Sequence, residues 1–201
     1  MKALLHSLFI VLFMSTPSYA VDEVSELRQH AEKLIDEEYQ NFNDSTLSAD
    51  QKKANTREFI AKNLDLEWMA RYSLGRNRKT ISKHKLNEFI RVYSKFVIKT
   101  YTELSTSYSG EKAVLKKIKQ IDDDRFIANM EIVKPNGQPP IRVDYLVNET
   151  TDPKNRFLIG DIITEGISIL NSQQAEFNSV ISSHGLDALI ADLKHRTEAR
   201  K

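Results

Sequence analysis

With 201 residues and 40% apolar composition, the chain can bury one substantial core but is short for two domains of ordinary size. Its formal net charge of +1 denies it the basic field that a general nucleic-acid binder needs. The absence of cysteine excludes a disulfide framework, so packing alone must hold the fold.

Residues 1–20 read as an export signal. Lys2 is the positive end, Ala3 to Met14 the apolar run, and Ser18-Tyr19-Ala20 offers small residues where a signal peptidase cuts. The run is too short to span a bilayer, which favours cleavage after Ala20 over a retained anchor. Lys2 is the only charged residue so removed, leaving acids and bases in balance over a single soluble domain at 21–201. No cysteine follows the cut, so no lipid is attached there.

The first half predicts helices. Val24, Leu27, Ala31, Leu34, Ile35 and Tyr39 recur at helical spacing between Asp22 and Phe42. Ser48 with Gln51 forms a capping-box pattern opening a second helix that runs to about Leu64. Asp65 caps a short third helix, and Gly75 is placed to end it. The longest helix starts near Ser82 and carries Leu86, Phe89, Ile90, Tyr93, Phe96, Val97, Tyr101 and Leu104 as one stripe, up to Ser109-Gly110.

After Gly110 the period changes to two. Strands are predicted from Val114 to Ile121, from Arg125 to Val133, over Ile141 to Val147, and over Phe157 to Thr164. Asn136-Gly137 is a hairpin signal between the second and third. In the fourth, alternation places Phe157, Ile159, Asp161 and Ile163 on one face and Leu158, Ile162 and Thr164 on the other. Glu165-Gly166 is expected to turn that strand straight into a helix from Ile169 to His184, stopped by Gly185, with a last helix beyond. The sum is an α+β domain: a four-stranded twisted antiparallel meander between N-terminal and C-terminal helices, with an apolar pocket between the layers.

Catalytic signatures are missing: the chain has no phosphate-binding glycine loop, no dinucleotide fingerprint and no nucleophile elbow. His30, His84, His184 and His195 are not at metal-binding spacing. Asp161 is open to two readings, a proton-transfer base facing a greasy pocket or a carboxylate hydrogen-bonded where the chain leaves the sheet. Paired with Tyr145, it would serve a small cone-type pocket enzyme acting on a hydrophobic substrate. The basic run of Arg76, Arg78, Lys79, Lys83, His84 and Lys85 is either a solvated face or a docking surface for a headgroup or an acidic partner. Lys116, Lys117 and Lys119 read as protection of an exposed sheet edge.

Five segments in order, DLEWMARYSLGR (65–76), FIRVYSKFVIKTYTELSTSYSGE (89–111), IRVDYLV (141–147), GDIITEGISILNSQQAEFNSVI (160–181) and HGLDALIADLKHR (184–196), together resemble the MlaC family, also called toluene-tolerance auxiliary proteins. Met69-Ala70-Arg71 with Leu74-Gly75, and Asp161-Ile162 followed by Glu165-Gly166, are the most specific pieces. Where the family often has tryptophan, this chain has Arg78 and Phe157. The resemblance implies a periplasmic phospholipid carrier and not an enzyme. Such a carrier has no cofactor beyond its cargo, is monomeric, and works between an outer-membrane lipoprotein complex and an inner-membrane ABC transporter with its substrate-binding subunit.

A carrier must offer acyl chains an apolar interior, because each CH₂ withdrawn from water gains ~0.8 kcal/mol. The residues put forward for that interior are Met69, Tyr72, Phe89, Tyr93, Phe96, Phe126, Met130, Val143, Tyr145, Phe157 and Ile163. For any one of them taken singly, the sequence favours a place in an ordinary core. Arg71, Arg76, Arg78 and Lys79 are put forward for the headgroup or for partner docking.

Overall fold

The computed structural model describes residues 19–198. The export signal at 1–20 therefore lies outside the described residues, apart from Tyr19 and Ala20, where the first helix begins.

Four helices precede the sheet: α1 (Tyr19–Asn43), α2 (Ala49–Asn63), α3 (Leu66–Ser73) and α4 (Lys83–Leu104). Their starts sit where side-chain chemistry places them. The Gln51 amide donates to Ser48 Oγ at 3.2 Å and the Ser48 amide to Gln51 Oε1 at 2.8 Å, a reciprocal capping box that satisfies two amides the helix cannot. Asp65 accepts from the Trp68 amide at 3.1 Å and Ser82 from the Lys85 amide at 3.3 Å, capping α3 and α4. Gly75, at φ 54°, closes α3 into a 3₁₀ turn over Gly75–Lys79.

The strands are β1 (Lys112–Asp122), β2 (Arg125–Val133), β3 (Ile141–Glu149), β4 (Phe157–Thr164) and β5 (Ile167–Ser168), paired antiparallel in sequence order. The sheet thus has five strands, one more than its alternation suggests. Glu165 and Gly166 both take positive φ, 49° and 82°, and form a two-residue hairpin that brings Ile167 back onto Thr164 and Ser168 onto Ile163. Only then does α5 (Ile169–Glu198) begin; Gly185, at φ 83°, breaks it in the middle.

A second difference concerns which way β4 faces. Leu146 pairs with Asp161 but Val147 pairs with Ile159, so Gly160 is an extra residue in the ladder. The bulge reverses the alternation beyond it. Phe157, Ile159 and Ile162 share one face, while Asp161 and Ile163 turn to the other. Glycine is needed here because a β-carbon would stand 2.8 Å from Asn148 Nδ2 and 3.1 Å from the Trp68 ring.

Two apolar cores result. One lies among α2, α3, α4 and α5, with Phe89, Tyr93 and Phe177 fully buried and the Phe177 ring edge-on to the other two at 6.2 and 6.1 Å. The other joins α1 to the sheet through Leu27, Ile118, Phe126, Val147 and Phe157. Between them the helices and the sheet do not close. Among the described residues, no helix is long and apolar enough to cross a membrane.

Candidate functional site

The space between the two cores is a cavity of about 860 Å³, open to solvent on one side. One wall is the stripe of α1, where Leu27, Ala31, Leu34 and Ile35 follow one another at helical spacing; Phe59 and Ile60 of α2 extend it. The opposite wall is one face of the sheet, where Ala128, Met130, Ile132, Ile141, Tyr145 and Val147 project at a period of two. Phe157, Ile159 and Ile162 of β4 complete it. At the mouth, Tyr39 and Leu104 remain 36% and 60% exposed, large apolar groups left at the water's edge. Phe42 stacks on Tyr108 at 4.4 Å beside them, and Tyr108 Oη accepts from Asn43 Nδ2 at 3.0 Å.

Polar groups in the lining are few and mostly uncharged. Burial pushes the phenols of Tyr101 and Tyr145 up, so both stay protonated hydroxyls. Burial lowers the His30 pKa, and its Nε2 is buried without a partner beside the Phe157 ring, 5.8 Å between centroids. Among the described residues no group of three or more His, Cys, Asp or Glu side chains could hold a metal ion. The lining therefore offers mostly van der Waals surface, with a few hydrogen-bond donors and acceptors.

Asp36, Glu38, Glu111, Lys112 and Lys134 are the charged side chains of the lining, and of these Glu38 links two helices. Burial raises its pKa, while Thr56 Oγ1 donates to Glu38 Oε2 at 3.2 Å and Asn41 Nδ2 donates to Thr56 Oγ1 at 3.1 Å, tying α1 to α2. A carboxyl with a raised folded pKa contributes stability that is present below the unfolded value of ~4.3 and lost as pH rises through the folded value. Glu38→Gln keeps the acceptor and removes the charge. Thermal melts at pH 7–8 should show the variant ahead by on the order of 0.5 kcal/mol, or ~1–2 °C after solvent screening, with the two melts converging below about pH 4.

Of the residues put forward for the apolar interior, Met130, Tyr145 and Phe157 line the cavity. Phe126 and Val143 share its sheet face but are covered, Phe126 in the core beneath Leu27. Met69, Phe89 and Tyr93 lie in the helical core, with Tyr72 and Phe96 packed against it. Tyr93 Oη donates to Gln173 Oε1 at 2.6 Å and Tyr72 Oη to Asn171 Oδ1 at 2.8 Å, which turns both hydroxyls toward α5. Ile163 is carried to the far face by the Gly160 bulge. Trp68 stacks on Tyr72 at 5.0 Å on that far side too.

Asp161 and Tyr145 form no acid–tyrosine pair in a pocket. Tyr145 pairs with Ile162 in the ladder and faces the cavity, while Asp161 faces away and receives hydrogen bonds from the Ile162 and Leu170 amides at 2.8 and 3.0 Å.

The basic residues lie elsewhere. Arg71 is bonded to Glu67 at 2.7 Å. Arg76, Arg78 and Lys79 are exposed on the 3₁₀ turn just ahead of α4. Tyr101 and Leu104, at the other end of that 22-residue helix, touch the cavity, so the cluster stands about 30 Å from the mouth. None of the three borders the cavity.

The α1 and α2 contribution escapes a reading of the sequence. The α1 stripe is visible in its spacing, but nothing in that spacing separates a helix packed on a core from one roofing a space.

The MlaC protein family profile matches residues 28–195. The intermembrane phospholipid transport system binding protein MlaC of Haemophilus influenzae is 21% identical over 169 residues, spanning 84% of this chain and 78% of that protein. The solved structure of a phospholipid-binding protein from Ralstonia solanacearum, in complex with a phospholipid, shares the fold at a TM-score of 0.61 and 19% identity, covering 90% of this chain and 93% of that one. With nearly its whole folded length matched, this chain belongs to the MlaC protein family.

Proposed function

We propose that this protein is a periplasmic phospholipid carrier that performs no chemistry on its cargo. It takes acyl chains into the cavity between α1, α2 and the sheet and leaves the headgroup at the wet mouth. In this reading it moves phospholipid between an outer-membrane lipoprotein complex and an inner-membrane ABC transporter with its substrate-binding subunit, and so maintains the lipid asymmetry of the outer membrane. The observation that carries the reading is the open apolar cavity of about 860 Å³. The names of the Haemophilus influenzae and Ralstonia solanacearum proteins support it.

Energetics point the same way. Without an occupant, the lining holds apolar surface against water at a cost of ~25 cal/mol per Å². Against a domain stability of only ~5–15 kcal/mol, covering that surface is a substantial gain. Two acyl chains gain on the order of 20 kcal/mol by leaving water, enough to make them the occupant.

The test is to purify the protein from its own host, denature it and extract it with organic solvent. Phospholipid close to one molecule per chain is expected. A lipid-free extract from protein that was folded, with its cavity open, would overturn the proposal.

A further inference from the structure

We infer that Lys112 and Lys134 form the seat for the phosphate of the bound lipid, an inference that rests on the carrier reading. The sheet carries several lysines near its first edge, and all but these two have another account. Lys116 pairs with Glu131 at 3.2 Å, and Lys117 and Lys119 project from β1 outside the cavity. Lys112 and Lys134 both line the mouth.

The ladder sets them at one corner of the sheet. Lys112 opens β1 opposite Val133, the last residue of β2, so the antiparallel register continues to Glu111 across from Lys134, one step from Lys112. Lys112 Nζ lies 5.9 Å above the Tyr39 ring, which holds the ammonium at the lip on the α1 side. Lys134 Nζ donates to Gln138 Oε1 at 3.2 Å, a neutral partner. Among the described residues neither lysine has a carboxylate within ion-pair distance.

The nearest acid does not cancel them. Glu111 also lines the mouth, but its two oxygens accept from the Ser109 amide at 2.7 Å and the Ser109 hydroxyl at 2.8 Å. Those bonds, the amide's first, hold its carboxyl below the usual range with Lys134 assisting, so it is fixed on its own loop. The other two acids in the lining, Asp36 and Glu38, belong to α1, and Glu38 is engaged by Thr56.

Two ammonium groups without an ion-pair partner at the lip of an apolar cavity suit a ligand whose tails lie inside and whose single negative charge sits where the tails end. A phosphodiester meets that description whatever alcohol it carries. Diacylglycerol has the same tails and lacks the charge.

The experiment loads the lipid-stripped chain from neutral vesicles doped with a phospholipid or with diacylglycerol of identical tails, and counts bound lipid by native mass spectrometry. Wild type should favour the phospholipid by roughly five-fold, as two exposed ion pairs allow, and lose that preference at high salt. Lys112→Ala with Lys134→Ala should abolish the preference while leaving diacylglycerol binding and the melting temperature unchanged, and the double arginine variant should restore it. Equal preference in wild type and the double alanine variant overturns the assignment alone. So does binding of inorganic phosphate to the lipid-free chain that the double alanine variant abolishes, since that marks a free-anion site. Failure of wild type to load either lipid overturns the carrier reading itself.

Discussion

Ala31→Trp combined with Leu34→Trp should abolish phospholipid binding and at the same time raise the melting temperature of the lipid-free protein. Both residues are half-buried on the α1 stripe and face the cavity. Bulk added there occupies the space that the carrier reading assigns to acyl chains, so bound lipid should fall to a small fraction of the wild-type level. In the lipid-free protein the same bulk shields apolar lining from water, and at ~25 cal/mol per Å² each 100 Å² covered is worth about 2.5 kcal/mol. The two effects have opposite signs, which makes the pair of measurements informative. In a close-packed core the same substitutions would force off-rotamer side chains and cost ~1–3 kcal/mol. A variant that is less stable without lipid and still binds it would show that the interior is an ordinary core.

That contrast also explains what could be read in the chain and what could not. Helix starts were legible because capping is local: Ser48 with Gln51, Asp65 and Ser82 each bond to an amide three residues on. The strands of the meander were legible for a similar reason, since the period changes after Gly110 and each turn carries its own polar or glycine signal. The family segments added the class of fold. The membership of the site was less accessible. Phe89, Tyr93 and Phe96 make the most conspicuous aromatic stripe in the sequence, yet they serve the helical core. An amphipathic stripe records only that a helix face leaves water. Whether it meets side chains or a void depends on how far its partners stand off, and that is set by contacts distant in sequence, such as Leu64 against Ile159.

The β4 strand failed in a more specific way. Strict alternation puts Asp161 and Ile163 with Phe157 and Ile159, but one unpaired residue at Gly160 exchanges them for Ile162. A glycine inside a strand is a known mark of a bulge or of a close approach, and here it is both. Given that signal, the two-residue strand after Glu165-Gly166 was the harder feature. Two residues are too few to show a period.

Asp161→Ala should be among the most destabilising single substitutions in the molecule, costing about 3 kcal/mol. The carboxylate is 7% exposed and supports three donors: the amides of Ile162 and Leu170 at 2.8 and 3.0 Å, and the Ser168 hydroxyl at 2.5 Å. Ser168 Oγ in turn accepts from the Asn171 amide at 2.9 Å. One side chain thus binds the end of β4 to the β5 hairpin and to the opening turn of α5, where negative charge also suits the helix dipole. Hydrogen bonds to a charged group contribute ~1.5–3 kcal/mol, and losing this acceptor strands donors that water cannot reach. For a domain of this size the expected fall in melting temperature is ~6–12 °C. Asp161→Asn retains one acceptor oxygen and should lose about half as much. Because the residue faces away from the cavity, Asp161→Asn should bind phospholipid like wild type at temperatures where it is folded. An aspartate acting on a substrate would give the reverse pattern, a stable protein without function. A binding defect in Asp161→Asn with an unchanged melt would therefore place the carboxylate in the site after all.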